Sequence, residues 1–291
     1  MPPMFGSALI SGLVIGGFYS LVGAGLNLIF GVIKIINFAQ GAMLTIGAYL
    51  TYWFVITTKL DPYLALPFVA LVLAFFGFII QKTLINRVLG QERTSQLLIT
   101  FGIALAIQNT TLALWGPDIR SVNTFISDKT FEVSGIRVGA TAAMALLGAL
   151  IVLLGLFLFL SRTRMGTAIR AVAQQADSAL LSGIDVKKVY AIAFAIGSGL
   201  VGVASVLIVP IYDVYPLVGE HFGIISFIVV VLGGLGNIQG AAIAGVFLGV
   251  IQNLFAVYVS DSLSTAILFF IFLITLLFRP QGIFVRKMRV S

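Results

Sequence analysis

RTRMGTAIRAVAQQADSALLSGIDVKK, residues 162–188, is the longest polar stretch in an otherwise apolar sequence. It carries five Lys or Arg residues and two Asp residues. Apolar side chains recur in it at the helical spacing of three and four, while the opposite face is polar. The apolar positions are Met165, Ile169, Val172 and Ala176, and the polar ones are Arg170, Gln174 and Gln175. This pattern predicts two short amphipathic helices, with a solvated connecting loop as the alternative.

Two residues predict the limits of the second short helix. Asp177 stands where an N-cap is expected, because its carboxylate can accept from the free N–H groups that follow. Gly183 comes after Leu180 as the left-handed residue that ends a helix, and Ile184 is placed to fold back on it. A structured, basic and amphipathic element between two apolar segments predicts a docking surface.

The composition of the whole chain predicts an integral membrane protein. Of its 291 residues 60% are hydrophobic and 9% are charged, whereas soluble domains carry about 25% charged residues. The net charge of +7 indicates a basic cytoplasmic face rather than nucleic-acid binding. With no cysteine in the chain, disulfides and thiolate metal sites are excluded. Because no Lys or Arg precedes Lys34, the first apolar segment is expected to be a membrane span and not a cleaved signal.

Long apolar runs separate the charged residues and predict eight to ten membrane segments. Two of the runs are shorter than the roughly 20 residues that a straight helix needs, so they are expected to be broken or tilted. The predicted segments are 5–33, 42–58, 63–81, 97–116, 138–160, 189–209, 223–235, 241–258 and 263–278.

The loops between these segments alternate in charge. One set is basic and contains Lys82, Arg87, Arg93, the 162–188 stretch, Arg279, Arg286, Lys287 and Arg289. The other set is acidic or balanced and contains Lys59, Asp61, Asp118, Arg120, Asp128, Lys129, Glu132, Arg137, Asp213, Glu220 and Asp261. The positive-inside rule places the basic set in the cytoplasm. The N-terminus is therefore predicted outside and the C-terminus inside.

A weak parallel repeat links KIINFAQGAMLTIGAYL (34–50) with GLGNIQGAAIAGVFLGV (234–250). Each stretch has an Asn followed by a Gln-Gly pair and then a glycine-rich segment, and the two segments are predicted to run in the same direction. Parallel repeats with polar breaks facing the pathway are one way to build a transporter. A tight turn between helices explains the same residues equally well.

The predicted segments contain no Asp, Glu, Lys, Arg or His, and His221 is assigned to an outer connection beside Glu220. Proton- and ion-driven carriers usually keep such groups inside the membrane, so this absence argues against that energy source. The chain also has no Gly-Lys pair for a phosphate-binding loop, no cluster of metal ligands and no nucleophile–base arrangement. It is therefore not expected to be an enzyme, or to bind a cofactor or metal.

Amide side chains in and beside the segments are the candidates for a solute pathway. In lipid each must be paired or must face a wet cavity, and for any single one a contact between helices is the alternative. The candidates are Asn27, Asn37, Gln40, Gln108, Asn109, Asn237, Gln239, Gln252 and Asn253. Two small-residue motifs, Gly12-x3-Gly16 and Gly245-x3-Gly249, predict close helix crossings.

Three stretches resemble the permease subunits of branched-chain amino-acid ABC importers, and in particular the shorter of the two paired permeases. They are GLNLIFGVIKIINFAQGAMLTIGAYL (25–50), RTRMGTAIRAVAQQADSALLSGID (162–185) and VVLGGLGNIQGAAIAGVFLGVIQ (230–252); RPQGIF (279–284) also fits. The resemblance extends over nearly the whole chain, and its last two motifs are the more specific. One departure is Gln40-Gly41-Ala42, where members of the family often have His-Gly-Glu.

The resemblance implies an all-α polytopic fold, with residues 1–291 forming a single permease domain in a bacterial inner membrane. It also implies a second permease, two cytoplasmic ATPase subunits that bind the ATP, and an external solute-binding protein. The coupling element would be the 162–188 loop, with Met165, Ile169, Arg170, Val172, Asp177, Leu180 and Gly183. Branched-chain amino acids are the expected solute. The alternatives are urea, short amides or a sugar for the same machinery, a sodium-coupled carrier, and a passive channel.

Overall fold

The computed structural model describes residues 2–127, 129–133 and 136–284. Almost all of this part is helical, with one small hairpin. The elements are α1 (Pro2–Ile33), α2 (Ala39–Thr58), a 3-10 turn (Pro62–Ala65), α3 (Leu66–Ile80), a π-helical turn (Gln81–Ile85), α4 (Asn86–Val88), α5 (Arg93–Trp115), β1 (Thr130–Val133), β2 (Ile136–Gly139), α6 (Ala140–Arg162), α7 (Arg164–Gln174), α8 (Ala176–Leu181), α9 (Val186–Ile208), α10 (Val218–Gly233), α11 (Ile238–Tyr258) and α12 (Asp261–Phe278).

Eight of the described helices are long and apolar enough to cross a membrane, and α10 is a shorter apolar helix of 16 residues. The chain is thus a multi-pass, all-α membrane protein, as its composition predicts. Each of these nine helices overlaps one of the nine predicted segments. The small antiparallel hairpin β1–β2 was not predicted. Residues 285–291, with the basic Arg286, Lys287 and Arg289, and residue Asp128 lie outside the described part.

Contacts between the helices fix their relative directions. Gly12 faces Gly249 and Gly31 faces Gly236, so α1 and α11 are antiparallel. Equivalent contacts make α1, α3, α6, α10 and α12 run one way and α2, α5, α9 and α11 the other. Lys82, Arg87 and α7–α8 consequently share one end of the bundle, which we call the basic end. The loops around residues 59–61, 116–139 and 209–217 share the opposite end.

Helix α1 is the centre of the bundle and is buried on all sides from Phe18 to Ile29. Its glycine motif packs directly on the glycine motif of α11, because a Cβ on Gly16 would lie 2.7 Å from the Cα of Val246. Such small residues let two backbones approach closely in lipid. The two motifs identified in the sequence are therefore the two halves of one crossing.

Two helices begin inside the bundle instead of at its surface. Gln40, in the first turn of α2, lies against Gly25, eight residues before the end of α1, a distance of about 12 Å along the helix axis. The first turn of α10 is equally deep, since the Gly219 N–H donates to Thr45 Oγ1 of α2 at 3.1 Å. Gly41 and Gly219 touch there through their backbones. Residues 34–38 are therefore a non-helical segment at membrane depth.

The position of α10 corrects one prediction. Glu220 and His221 do not belong to an outer connection but to the first turn of α10, beside Thr45 of α2. The expectation that the membrane segments contain no carboxylate and no histidine is wrong for this helix. The charge pattern misplaced its start because it treated every ionisable residue as the end of an apolar run.

Candidate functional site

A cavity of about 380 Å³ lies where the first turns of α2 and α10 meet beside α5. Its floor is the non-helical segment before α2, with Ile36 and Asn37, and its side is the α5 face of Phe101 and Gln108. Helix α1 ends just before Lys34, which has a left-handed φ of 63°. We call this space the α2–α10 cavity.

Four polar side chains line the α2–α10 cavity. Asn37 Oδ1 accepts from the Ala39 N–H at 3.1 Å, and its Nδ2 donates to Gln40 Oε1 at 3.1 Å. Gln108 Nε2 donates to Glu220 Oε1 at 2.8 Å. The remaining donor, Gln40 Nε2, is buried without a hydrogen-bond partner among the described residues. This nitrogen has no accessible surface and lies toward Gly25 of α1, so it does not face the cavity.

The other walls of the α2–α10 cavity are apolar. Phe38 and Phe101 meet edge to face with ring centroids 6.5 Å apart, and Leu26, Ile224 and Phe227 complete the lining. Gln40 and Ala42, two positions at which the chain departs from the family motif, also line this space. Mostly apolar walls with a few convergent polar groups are typical of small-molecule sites.

A second cavity of about 240 Å³ opens near the basic end. It lies between α7, which contributes Ile169 and Arg170, and the break that precedes α11, which contributes Asn237 and Gln239. Asn27 of α1 also lines it. The structure thus places six of the nine predicted pathway residues in two separate cavities, three in each.

Asn27 and Asn237 hold the helix break between α10 and α11. Asn27 Nδ2 donates to the Gly234 and Asn237 carbonyls at 3.1 and 2.8 Å, and its Oδ1 accepts from the Gly236 N–H at 2.6 Å. Asn237 Oδ1 accepts from the Gly240 N–H at 3.1 Å as the N-cap of α11. Its Nδ2 donates to the Phe284 carbonyl at 3.0 Å, which ties down the RPQGIF segment. Both amides therefore serve the local fold.

The remaining candidates lie outside the α2–α10 cavity. Gln252 Oε1 accepts from Tyr19 OH at 2.6 Å, and Asn253 Nδ2 donates to the Ala8 carbonyl at 2.6 Å, so both link α11 to α1. Asn109 is exposed and donates to the Leu105 carbonyl of its own helix at 2.8 Å. It lines a third cavity of about 230 Å³ together with Gln108 and Tyr215.

The two short helices predicted in residues 162–188 are present as α7 and α8. Ile169 and Val172 are each 2% exposed, so they fasten α7 to the bundle, and the side chain of Arg170 faces outward. Met165 is partly buried. Leu180 and Leu181 are 61% and 89% exposed on α8. Gly183 has the predicted left-handed φ of 83°, and the Ile184 N–H donates to the Ala179 carbonyl at 3.0 Å.

The predicted N-cap is wrong. Asp177 lies inside the first turn of α8, and Gln175 occupies the N-cap position without a side-chain hydrogen bond. The α7 helix ends at Gln174 and α8 already begins at Ala176, so Asp177 falls inside α8 and not before it. Thr163 supplies the cap that sequence reasoning missed, because its Oγ1 accepts from the Gly166 N–H at 2.9 Å.

Residues 8–276 match the family described as the branched-chain amino acid transport system / permease component. The chain belongs to this family. Two curated permeases cover 94% of this chain over 94% of their own lengths. They are the high-affinity branched-chain amino acid transport system permease proteins BraD of Pseudomonas aeruginosa, at 30% identity, and LivH of Escherichia coli K12, at 29%. The D-allose transport system permease protein AlsC of E. coli K12 is 30% identical over 73% of this chain and 67% of its own length.

No solved structure matches this permease. The comparisons confirm the resemblance that its motifs carry, and its fold is that of a polytopic permease. Sequence reasoning missed Glu220 as a cavity residue. One signal could have located it: Gly219 and Gly223 lie on either side of it at a spacing of four. Such small residues permit a helix to start against another backbone.

Proposed function

We propose that this chain is the membrane permease of an ATP-binding-cassette importer and that it moves small aliphatic amino acids inward. Two findings support this proposal. The chain belongs to the permease family, and relatives that match 94% of its length are named for branched-chain amino acid transport. The chain itself performs no reaction. Separate ATPase subunits bind and hydrolyse the ATP, and a second permease and an external binding protein complete the machine. The bundle lies in the inner membrane of a bacterium with its basic end in the cytoplasm.

The α7–α8 element is proposed as the contact for the ATPase subunits. Its anchoring face is buried through Ile169 and Val172, while Leu181 is 89% exposed at the basic end. Leu181 lies on α8, next to the anchored α7, and an exposed leucine on such an element is expected of a docking contact. The α7 anchor and the helix break before α11 enclose one cavity, so a shift of α7 reaches α11 directly. ATPases that bind one state more tightly would bias the permease toward it.

The solute is proposed to pass through the α2–α10 cavity. Helices that begin at membrane depth, next to a non-helical segment, are where transporters commonly place their binding sites. The similarity to a D-allose permease makes a sugar the second candidate solute for the same machinery. An apolar lining that includes a carboxylate favours the amino acid.

Uptake of labelled leucine into proteoliposomes tests this function. The vesicles hold this chain, its partner permease and the ATPases, with internal ATP and the external binding protein supplied or omitted. We expect uptake only when both are present. Uptake of D-allose but not leucine would overturn the amino-acid assignment, and uptake by this chain alone without ATP would overturn the importer.

A substitution at α8 tests the coupling element in the same vesicles. We expect Leu181→Asp to abolish uptake while the purified permease keeps its normal thermal stability, because this side chain has no packing to lose. Ile119→Asp is the matched control, since Ile119 is 70% exposed in a loop at the opposite end. Normal uptake by Leu181→Asp would remove α8 from the ATPase contact.

A further inference from the structure

The α2–α10 cavity combines two positive helix ends in one place. Both α2, with 20 residues, and α10, with 16, start at its edge. The N-terminal end of a helix carries about half a positive charge and favours anions. The Gln40 side chain is also part of this wall, with its Nε2 buried toward Gly25 of α1 and not open to the cavity. This side of the cavity suits a carboxylate.

Glu220 gives the cavity a negative group as well. Its carboxylate accepts from Gln108 Nε2 at 2.8 Å, but an amide carries no charge and the carboxylate has further lone pairs to share. An ammonium group is the partner that such a carboxylate binds most strongly, through short charge-assisted hydrogen bonds. Because Glu220 lies in the first turn of α10, the cavity offers its carboxylate at that helix end and a positive helix end without a carboxylate at α2.

The rest of the lining sets the kind of side chain that the solute carries. The apolar part of the cavity wall consists of the side chains of Leu26, Phe101, Ile224 and Phe227. Burying a side chain such as that of leucine against them is favourable. A sugar would need hydroxyl partners on every side and would leave the charge of Glu220 unmatched. The volume of about 380 Å³ lies in the range of small-molecule sites.

We propose that the α2–α10 cavity is a binding site for a zwitterionic amino acid with an aliphatic side chain, and that Glu220 determines specificity by binding its ammonium group. The inference rests on the proposed importer function and adds to it the residue that distinguishes an amino acid from a neutral or purely anionic solute. The carboxylate of the solute lies toward the first turn of α2. Its side chain lies against the aromatic wall.

The test is equilibrium binding to the assembled permease pair and ATPases in nanodiscs, without the binding protein. Its two probes are labelled leucine and labelled 4-methylpentanoate, which has the same carbon skeleton and carboxylate but no ammonium group. We expect the native complex to prefer leucine by about ten- to a hundredfold, the range of a hydrogen bond to a charged group. Glu220→Gln should weaken leucine binding by a similar factor and leave 4-methylpentanoate binding unchanged.

Matched variants separate recognition from structure. Asp261→Asn neutralises the other carboxylate in the first turn of an apolar helix, α12, and should keep the preference for leucine. Glu220→Asp retains the charge and should keep most of that preference. Equal weakening of both probes by Glu220→Gln, an unchanged leucine preference in that variant, or no leucine binding by a native complex that transports leucine would each overturn the inference.

Failure of the proposed function gives a different result. If the native proteoliposomes do not take up leucine with ATP and the binding protein, the importer assignment itself fails. If they do take it up and Glu220→Gln behaves as the native chain in both uptake and probe preference, the assignment of Glu220 alone is wrong.

Discussion

At the scale of single residues, Asn27 shows how a polar side chain in an apolar helix is used. Its amide makes three hydrogen bonds to the backbone of residues 234–237, and the side chain is fully buried. The break between α10 and α11 exposes backbone groups that water cannot reach, so a side chain of another helix must pair them. Its predicted role in the pathway stays a prediction, while its structural role is complete.

Replacing Asn27 should therefore destabilise the permease. Asn27→Leu keeps the branching of the side chain, although leucine is larger, and removes the partner of the buried Gly234 carbonyl. Each buried group left unpaired costs about 1–3 kcal/mol. We expect a clear fall in the midpoint of thermal unfolding of the purified chain in detergent. Asn109→Leu is the control, because Asn109 is exposed and bonds only within its own helix. An equal midpoint for both variants would contradict this reading.

Glu220 illustrates the limit of residue-by-residue reasoning. The sequence shows a carboxylate next to an apolar run, and the simplest interpretation puts it in an outer loop. Its position in the bundle depends on Gly41 and Gly219, whose backbones touch across α2 and α10. Those two residues are far apart in the chain, so their contact could not be predicted from the local pattern.

At the scale of elements, the deep starts of α2 and α10 create the candidate site. A Cβ on Gly219 would collide with the Gly41 carbonyl and Thr45 Oγ1. Both neighbours belong to α2, whose own position is fixed against α9 through Met43 and Ser198. The two helices can share this depth only while neither has a side chain at the contact.

Substituting Gly219 should thus disrupt the α2–α10 cavity. We expect Gly219→Ala to reduce leucine uptake strongly and to destabilise the chain by about 1–3 kcal/mol, the usual cost of overpacking. Gly102→Ala in α5 is the matched control, since a Cβ there meets nothing within 4 Å. This control should be neutral or slightly stabilising, because alanine favours helix over glycine. Unimpaired uptake by Gly219→Ala would show that the contact can relax.

The α7–α8 element was predictable because its information is local. Its helical periodicity and Gly183 need no distant partner to be recognised, and both predictions are confirmed by the burial of Ile169 and the φ of Gly183. The N-cap assignment to Asp177 was wrong for a local reason as well. Asp also stabilises the first turn of a helix through the dipole, so the residue type alone does not fix the boundary.

At the scale of the whole molecule, the alternating helix directions put every described basic loop at one end. The charge alternation and the structure group the same loops at each end of the bundle. That the basic end faces the cytoplasm stays a prediction of the positive-inside rule. The chain has no cysteine, so a single introduced cysteine reports its own location without background.

We expect the two ends to label from opposite sides of the membrane. Ser121→Cys in the loop after α5 should react with a membrane-impermeant maleimide in intact cells. Ser182→Cys after α8 should react only after permeabilisation, since both serines are exposed but lie at opposite ends. Labelling of Ser182→Cys in intact cells, with protection of Ser121→Cys, would reverse the orientation.

The sequence by itself determined the membrane class, a count of eight to ten membrane segments, their alternation and the amphipathic 162–188 stretch. These properties follow from composition, periodicity and charge within short windows, and from motifs that also identify the family. Only the tertiary structure decided which amides bond to the backbone at a helix break and which line a cavity. It also brought Gln40, Gln108 and Glu220 together. Their grouping depends on helix depth, which is set by backbone contacts between distant glycines that no local pattern encodes.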